Sequence, residues 1–447
     1  AINANEAFTI KLSDNFNSND GSVEVTNLTG SAITNAISID ASAFTGGNAA
    51  LNVSATNFDG NDTFIGTSNA DTINAGGGAD TISGNGGADV INAGAGADVI
   101  RLTQAQMAQA AAINGGTDAD IDTILITEPS ATITDANFAI VTGIERLQLT
   151  GANTLVLGST AAAAGIGTIV LGNGDTSITL NDGVTMTIDA AALPDGNTLT
   201  IAGSGNFTIN NLVGDLISTA ASGTVALTLN GSGATVVNSS ITNNGAATSF
   251  TVNQGTFDGA DTINLLGSQA MTVVTGAVSL NVVSTSSALA TVNAAAMADG
   301  QLLSLSGSGA FAVTGLAADL LATNASGTMD VTTAAIADGA TTAINTGSGT
   351  TVITGDAATA GNGAVSINAA PLADDASLTI DGDAAFTVTN LLADLNASAA
   401  TSTVDVTTAA IADGASTTIN TGSGATTITG DAATAGNGAV SINAAPL

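Results

Sequence analysis

Five aspartates, Asp62, Asp71, Asp80, Asp89 and Asp98, recur at intervals of nine residues. Two positions after each stands an apolar residue: Phe64, Ile73, Ile82, Ile91 and Ile100. Small, glycine-rich sequence precedes them, as in GGGAD, GNGGAD and GAGAD. Carboxylates this regular need a counter-charge. The chain supplies almost none, with 37 acidic residues against Lys11, Arg101 and Arg146 and a net charge of −34. A hard cation fits the need, because Ca²⁺ takes ~6–8 oxygen ligands at about 2.3–2.6 Å.

The elements that must position these groups follow from the flanking residues. Glycine permits positive φ and close approach of neighbouring loops. An aliphatic residue beside Thr or Val suits a short strand. Each nonapeptide therefore reads as one tight turn and one short strand, and two nonapeptides make one 18-residue coil of a flattened solenoid. Turns 18 residues apart stack one strand spacing, about 4.8 Å, from each other. Asp62, Asp80 and Asp98 then line one edge, and Asp71 and Asp89 the other. Facing carboxylates repel unless a cation lies between them, and the five aspartates provide at most three such inter-turn sites. Carbonyls of the glycine loops, at Gly76, Gly78, Gly87 and Gly96, are the further expected ligands. The apolar column points inward as the core.

The stretch 60–101 resembles the RTX (repeat-in-toxin) nonapeptide, G-G-x-G-x-D-x-U-x, most closely at GGGADTISG, GNGGADVIN and GAGADVIRL. The resemblance implies a parallel β-roll that binds calcium. It weakens at GTSNADTIN, where Ser68 and Asn69 replace glycine, so a weaker site is expected at Asp71. The segment NFAIVTGIERLQLTG, 137–151, is similar to a phrase of RTX-type bacterial surface-layer proteins. Within it Glu145 and Arg146 read as a surface ion pair, which carries little net stability.

Around this array we expect an all-β chain: a parallel β-roll followed by a β-solenoid or repeated β-sandwich units, with short capping helices. Residues 1–57 read as an N-terminal segment of β-strands. Residues 58–128 form the roll, with a helix over 103–113 (N-cap Thr103, stop Gly115) capping its open end. Asp118, Asp120 and Asp122 copy the first ligand positions of an EF-hand loop. Thr123 stands where glycine is required and Pro129 where the last glutamate belongs, which argues against an EF-hand. The three aspartates read either as a further calcium site joined to the roll or as a solvated acidic loop. FDGADTIN, 257–264, echoes FDGNDTFI, 58–65, but has no neighbours 18 residues away and reads as a turn.

Residues 129–447 are repetitive. One unit recurs at 199–216, 303–320 and 378–395, with Phe207, Phe311 and Phe386 in register as core filler and Asp215, Asp319 and Asp394 as polar residues beside a helical turn, NLLADL in the last copy. Residues 330–372 recur at 405–447 with four substitutions in 43 positions, a 75-residue tandem repeat that stops in mid-unit and suggests a longer polypeptide. Such duplication fits a lengthening scaffold.

Composition excludes several functions. The chain has no His and no Cys, so Ser-His-Asp and Cys-His catalysis and zinc-protease motifs are impossible, and disulfides are absent. It also lacks Trp and Tyr, the usual platforms for sugars. Three cationic residues cannot neutralise a nucleic-acid backbone. No apolar run approaches the ~18 residues of a membrane span. The expected function is therefore non-enzymatic, and the resemblance to RTX-type surface-layer proteins implies a secreted structural protein of the bacterial surface that assembles with its own copies, in a calcium-dependent way, into a layer or filament. The alternatives are the stalk of a large repeat adhesin and a polysaccharide- or ice-binding solenoid with outward Thr ladders.

Overall fold

The computed structural model describes residues 8–13, 22–25, 33–44, 49–54, 58–231, 236–359, 362–412, 414–430 and 438–444. The chain forms two compact units, one of residues 1–210 with 220–224, the other of 211–219 with 225–447. Each is a parallel β-solenoid. All described strand pairings are parallel, which rules out antiparallel sandwich units.

In the first unit, one sheet stacks Phe8–Ser13, Ile37–Ala43, Thr63–Ile65, Thr81–Ser83, Val99–Leu102, Thr123–Ile126 and Arg146–Leu149. The opposite sheet stacks Ser22–Val25, Ala50–Ser54, Thr72–Gly77, Val90–Ala95, Ala112–Gly116 and Val141–Thr142. The described strands of 1–57 are thus coils of the same sheets that carry the roll. Residues 1–7, 14–21, 26–32, 45–48 and 55–57 of that segment lie outside the described residues. Each strand of the roll alternates inward and outward positions with period two. The inward column Ile39, Phe64, Ile82, Ile100, Ile124 and Leu147 is fully buried, as is Ile73–Ile91–Ile113 on the facing sheet.

The expected helix forms only over Gln104–Gln109. Thr103 caps it as anticipated, in a capping box with Gln106, and Met107 is buried. It does not run to residue 113, and it closes no end of the roll. Asp89 O accepts N–H bonds from Ala111 and Ala112 (2.8 and 3.1 Å), which draws the chain back onto the sheet. Ala112–Gly116 then pairs with Val90–Ala95, and Gly115 lies in a strand rather than at a helix stop. The helix is a corner insertion within a coil.

In the second unit most strand pairs keep register while corner loops vary. Successive paired positions such as Phe311, Met329, Thr351 and Leu378 lie 18, 22 and 27 residues apart. That variation is absorbed mostly at the corners, with register shifts inside some strands, as between Val313 and Leu316 and between Val388 and Leu391. Phe311 and Phe386 are core residues, as expected. The helical turn at NLLADL is absent: Ala385–Leu391 and Asp394–Ala400 are both strands. Asn390 has φ 57°, and the bend it makes turns both Leu391 and Leu395 inward. A corner has mimicked the i, i+4 spacing of a helix face. Nor is the aspartate a helix-side residue. Asp319 and Asp394 sit at coil corners, where Oδ1 accepts the N–H of Ala343 (2.9 Å) and Thr418 (2.7 Å) in the next coil.

Candidate metal centre

The coil register places the aspartates of the array as a ladder. Along one edge, Asp62 Oδ1 accepts the Ile37 N–H (2.7 Å), Asp80 Oδ1 the Asp62 N–H (2.7 Å), and Asp98 Oδ1 the Asp80 N–H (2.7 Å). Each carboxylate therefore reaches back one coil, and those of Asp80 and Asp98 are held by the backbone of the aspartate before them. Asp71 and Asp89 do the same on the other edge, accepting the N–H of Leu51 (2.6 Å) and Asp71 (2.9 Å). All five are buried.

The loops that wrap these groups need glycine. Gly76, Gly78 and Gly96 lie on the Asp80–Asp98 edge and Gly87 on the Asp89 edge, all with positive φ. A Cβ on Gly78 would strike the Gly60 carbonyl, and one on Gly96 the Gly78 carbonyl. Gly84 passes so close that a Cβ there would strike Asp89 Oδ2.

The electrostatics are unfavourable to bare anions. Asp62, Asp80 and Asp98 each keep one buried oxygen, Oδ2, that makes no hydrogen bond. Burial pushes the Asp80 carboxyl up to about 8; the Asp62 N–H bond opposes this, and the charges of Asp98 and Asp62 add to it. Burial likewise raises Asp98 and Asp89 to about 7 and Asp62 and Asp122 to about 6, and raises Asp71. A desolvated carboxylate oxygen without a partner is costly, so Asp62, Asp80 and Asp98 each require a proton or a cation. Asp135 shows the contrast. Burial acts on it too, but the Thr160 hydroxyl and the N–H groups of Ala161, Gly158 and Thr160 outweigh it and hold the carboxyl below its usual range.

The donor set is all oxygen, which suits a hard cation. Among the described residues no three acidic side chains converge on one point. The carboxylates are stacked singly along each edge, so a bound ion has to draw on backbone oxygens as well. With orphaned buried oxygens on three successive coils, the ladder fits calcium.

The edges are not equivalent. Both Asp71 oxygens already accept hydrogen bonds: Oδ1 from Leu51 N–H and the Thr67 hydroxyl (3.0 Å), Oδ2 from Thr67 N–H (2.7 Å). The loop GTSNA, which departs from the glycine pattern, thus supplies a protein partner in place of an open oxygen.

The acidic loop at 117–124 divides. Asp122 is buried and joins the ladder, its Oδ1 accepting the Asp98 N–H (2.9 Å). Asp118 is exposed; its Oδ2 accepts the Gly96 N–H (3.1 Å) and its Oδ1 the Asp120 N–H (2.9 Å), while the Asp120 side chain stays on the surface. Glu145 extends the ladder further. Its Oε2 accepts the Asp122 N–H (2.9 Å) rather than pairing with Arg146, whose Nε makes no hydrogen bond. Reading by nine-residue spacing passed over Glu145, because insertions lengthen these coils to 24 and 23 residues. The signal was the acid-x-aliphatic triplet itself, present in Asp122–Ile124 and Glu145–Leu147. Asp261, in the echo at 257–264, is buried and reaches back similarly, accepting the Val237 N–H (2.8 Å). Its Oδ2 is hydrogen-bonded to the Asp258 N–H (3.2 Å).

Comparison with known families agrees with this geometry. Residues 56–91 and 65–100 match the RTX calcium-binding nonapeptide repeat (4 copies). No curated protein and no solved structure matches the chain. RTX nonapeptides bind calcium, and proteins that carry them are typically secreted. Residues 56–100 are an RTX calcium-binding block, and its described part, 58–100, folds as a parallel β-roll within a longer β-solenoid unit.

Proposed function

We propose that this chain is a secreted structural protein of the bacterial cell surface, which calcium folds and which then assembles with its own copies into a layer or filament. One observation carries the calcium part: three successive coils each bury a carboxylate oxygen without a hydrogen-bond partner. An ion bound only by the folded roll stabilises it by RT ln(1 + [L]/Kd), about 2.7 kcal/mol per site at 100 Kd. At low cytosolic calcium the same carboxylates oppose folding and favour an export-competent chain. At millimolar calcium outside the cell the coils close.

Asp62, Asp80 and Asp98, with Asp122 beyond them, would hold the ions on one edge and Asp89 with Asp71 on the other, helped by the loops at Gly76, Gly78, Gly87 and Gly96. Asp118 and Asp120 stand at the rim of the Asp122 end. The assembly part is supported by the repetitive architecture and by the absence of the side chains that common hydrolases require. A cell-surface polysaccharide is the second partner class this reading admits.

The near-identity of 330–372 and 405–447 favours one other reading, the stalk of a large adhesin extended by duplication. Negative-stain micrographs with calcium and with EGTA separate the two. A surface-layer protein gives ordered sheets or filaments with calcium, whereas a stalk stays a dispersed particle. Circular dichroism that does not respond to chelator over the roll would remove the calcium mechanism from both.

A further inference from the structure

In the second unit, the strand Leu302–Gly307 pairs with Asp319–Ala325, and the register shifts part-way along. Ser304 lies opposite Leu321, but Ser306 lies opposite Asn324, so one extra residue enters the second strand. Ala322 and Ala325 stay buried, while Thr323 and Asn324 between them are both turned outward and exposed. Bulges of this kind re-aim side chains and are frequent beside functional sites. Here the exposed pair lines one side of a groove of ≈ 210 Å³ on the outer face of the sheet. Val283 and Leu321 give the groove an apolar patch, and Asn281, Ser304 and Ser306 supply polar groups beside it.

The chemistry of the lining narrows the occupant. Among the described residues that line the groove none is charged, so an ion finds no counter-charge there, and the net charge of −34 repels an anionic polymer. An added peptide strand is also excluded. Leu280–Ser284 and Leu302–Gly307 are each paired on both sides, so their backbone groups are taken. Recognition is left to side chains: hydroxyls and amides that both donate and accept, around two aliphatic groups. Asn281 is already oriented, its Nδ2 donating to the carbonyls of Gly259 (2.7 Å) and Asp261 (3.2 Å), which leaves Oδ1 as the acceptor for a ligand. A neutral sugar matches this set, with hydroxyls around its rim and C–H groups on its face. In a chain without Trp or Tyr, Val283 and Leu321 are the apolar surface that face would meet.

The next copy of the unit, at 378–395, is a control within the chain. The same register shift recurs there between Thr379 and Asp381, and Ser398 and Ala399 are exposed as Thr323 and Asn324 are. The bulge therefore belongs to the fold. The lining does not, because Asp381 stands in place of Ser306 and Ala399 in place of Asn324. We infer that the groove around Ser304, Ser306 and Thr323 binds a sugar residue of a neutral polysaccharide. This deepens, and rests on, the reading above that admits a cell-surface polysaccharide as partner. A groove this small holds little of a polymer, so one molecule binds weakly and an assembled array gains by avidity.

Affinity electrophoresis of the whole chain in millimolar calcium tests this. Native gels contain dextran or galactomannan, which are neutral, or alginate, which is acidic, and retardation is measured against a gel without polymer. The expected result is retardation by a neutral polysaccharide and none by alginate. Ser306→Asp, which installs the residue of the next copy, should weaken that binding by roughly tenfold or more, because its carboxylate loses water without gaining a partner. Asn324→Ala should weaken it as well. Ser366→Asp adds the same charge on the same sheet outside the groove and should leave binding unchanged. All three positions face outward, and circular dichroism verifies that each variant folds. Neutral-polysaccharide binding that Ser306→Asp does not reduce, or that Ser366→Asp reduces equally, overturns the groove and leaves the polysaccharide partner standing. Retardation by alginate alone does the same. Absence of retardation by all three polymers overturns the groove and the polysaccharide partner together.

Discussion

Asp80 occupies the middle rung of the ladder, and replacing it by Asn isolates the charge from the shape. Asp80 Oδ1 accepts the Asp62 N–H and its own N–H donates to Asp98, so it faces both neighbouring coils. An amide keeps the volume and the Oδ1 acceptor. It removes one anionic oxygen from each of two stacked positions, Asp62/Asp80 and Asp80/Asp98. If each holds an ion worth about 2.7 kcal/mol at 100 Kd, Asp80→Asn costs up to about 5 kcal/mol of calcium-dependent stabilisation. Asp62→Asn, at the end of the row, costs about half of that. Without calcium the order reverses: Asp80→Asn is neutral or stabilising, because a neutral amide replaces the carboxyl most reluctant to ionise. Amide hydrogen exchange at residues 62, 80 and 98 reads the local opening free energy of the roll apart from the rest of the chain. Measured in calcium and in EGTA, it gives the difference directly. Equal destabilisation by Asp80→Asn in both conditions, or equal calcium-dependent losses for Asp80→Asn and Asp62→Asn, would refute the stacked arrangement.

Acid should replace calcium in part. The ladder carboxyls are raised in the folded roll, so the stability they contribute is fully present below about pH 4, their unfolded value, and is lost as pH rises through about 6 to 8. Circular dichroism melts in EGTA should therefore fall from pH 5 to pH 8.5. Calcium affinity should rise over the same window, with protons released on binding, as calorimetry in buffers of different ionisation enthalpy would register. Gly78→Ala forces an L-residue to φ 107° and against the Gly60 carbonyl, whereas Gly183→Ala meets only the φ penalty at 67°. The first should destabilise by more than the ~1–3 kcal/mol typical of such backbone strain and the second by about 1, in chemical denaturation. Phe386→Ala empties the space beside Gly355 and should cost ~3–5 kcal/mol, seen as lost exchange protection over 351–368.

The roll was legible because its period is rigid. Nine residues per half-coil, an aspartate at the turn and an inward Ile two places on fix both edges and the core before any coordinates are known. Legibility ended where that period broke. Asp122 and Glu145 continue the ladder across coils of 24 and 23 residues, so counting by nine passed over Glu145 and left Asp122 to an EF-hand comparison. The second unit stayed open between solenoid and sandwich for the same reason, with corners of unequal length. Leu391 and Leu395 were misassigned because residues four apart face one side of a helix and, around a corner at Asn390, one side of a coil too. Thr103 and Met107 of the helix were correctly placed, since capping and burial are local. The helix length was not, because the bonds that end it come from Asp89, in the preceding coil.

One device underlies most of the acidic residues described above, and its repetition decides where calcium matters. An aspartate at a coil corner accepts an amide N–H from a neighbouring coil at Asp62, Asp80 and Asp98, and again at Asp261, Asp319 and Asp394. A single such bond satisfies one oxygen and leaves the other to its surroundings. At Asp261 a local N–H takes that second oxygen, and Asp394 opens to solvent. Among the described residues, only the roll repeats the device at the same corner of consecutive coils, so that the remaining oxygens are buried behind one another. Calcium sensitivity should therefore be confined to the block around 62–122. The other corners keep their carboxylates as hydrogen-bonded spacers between coils.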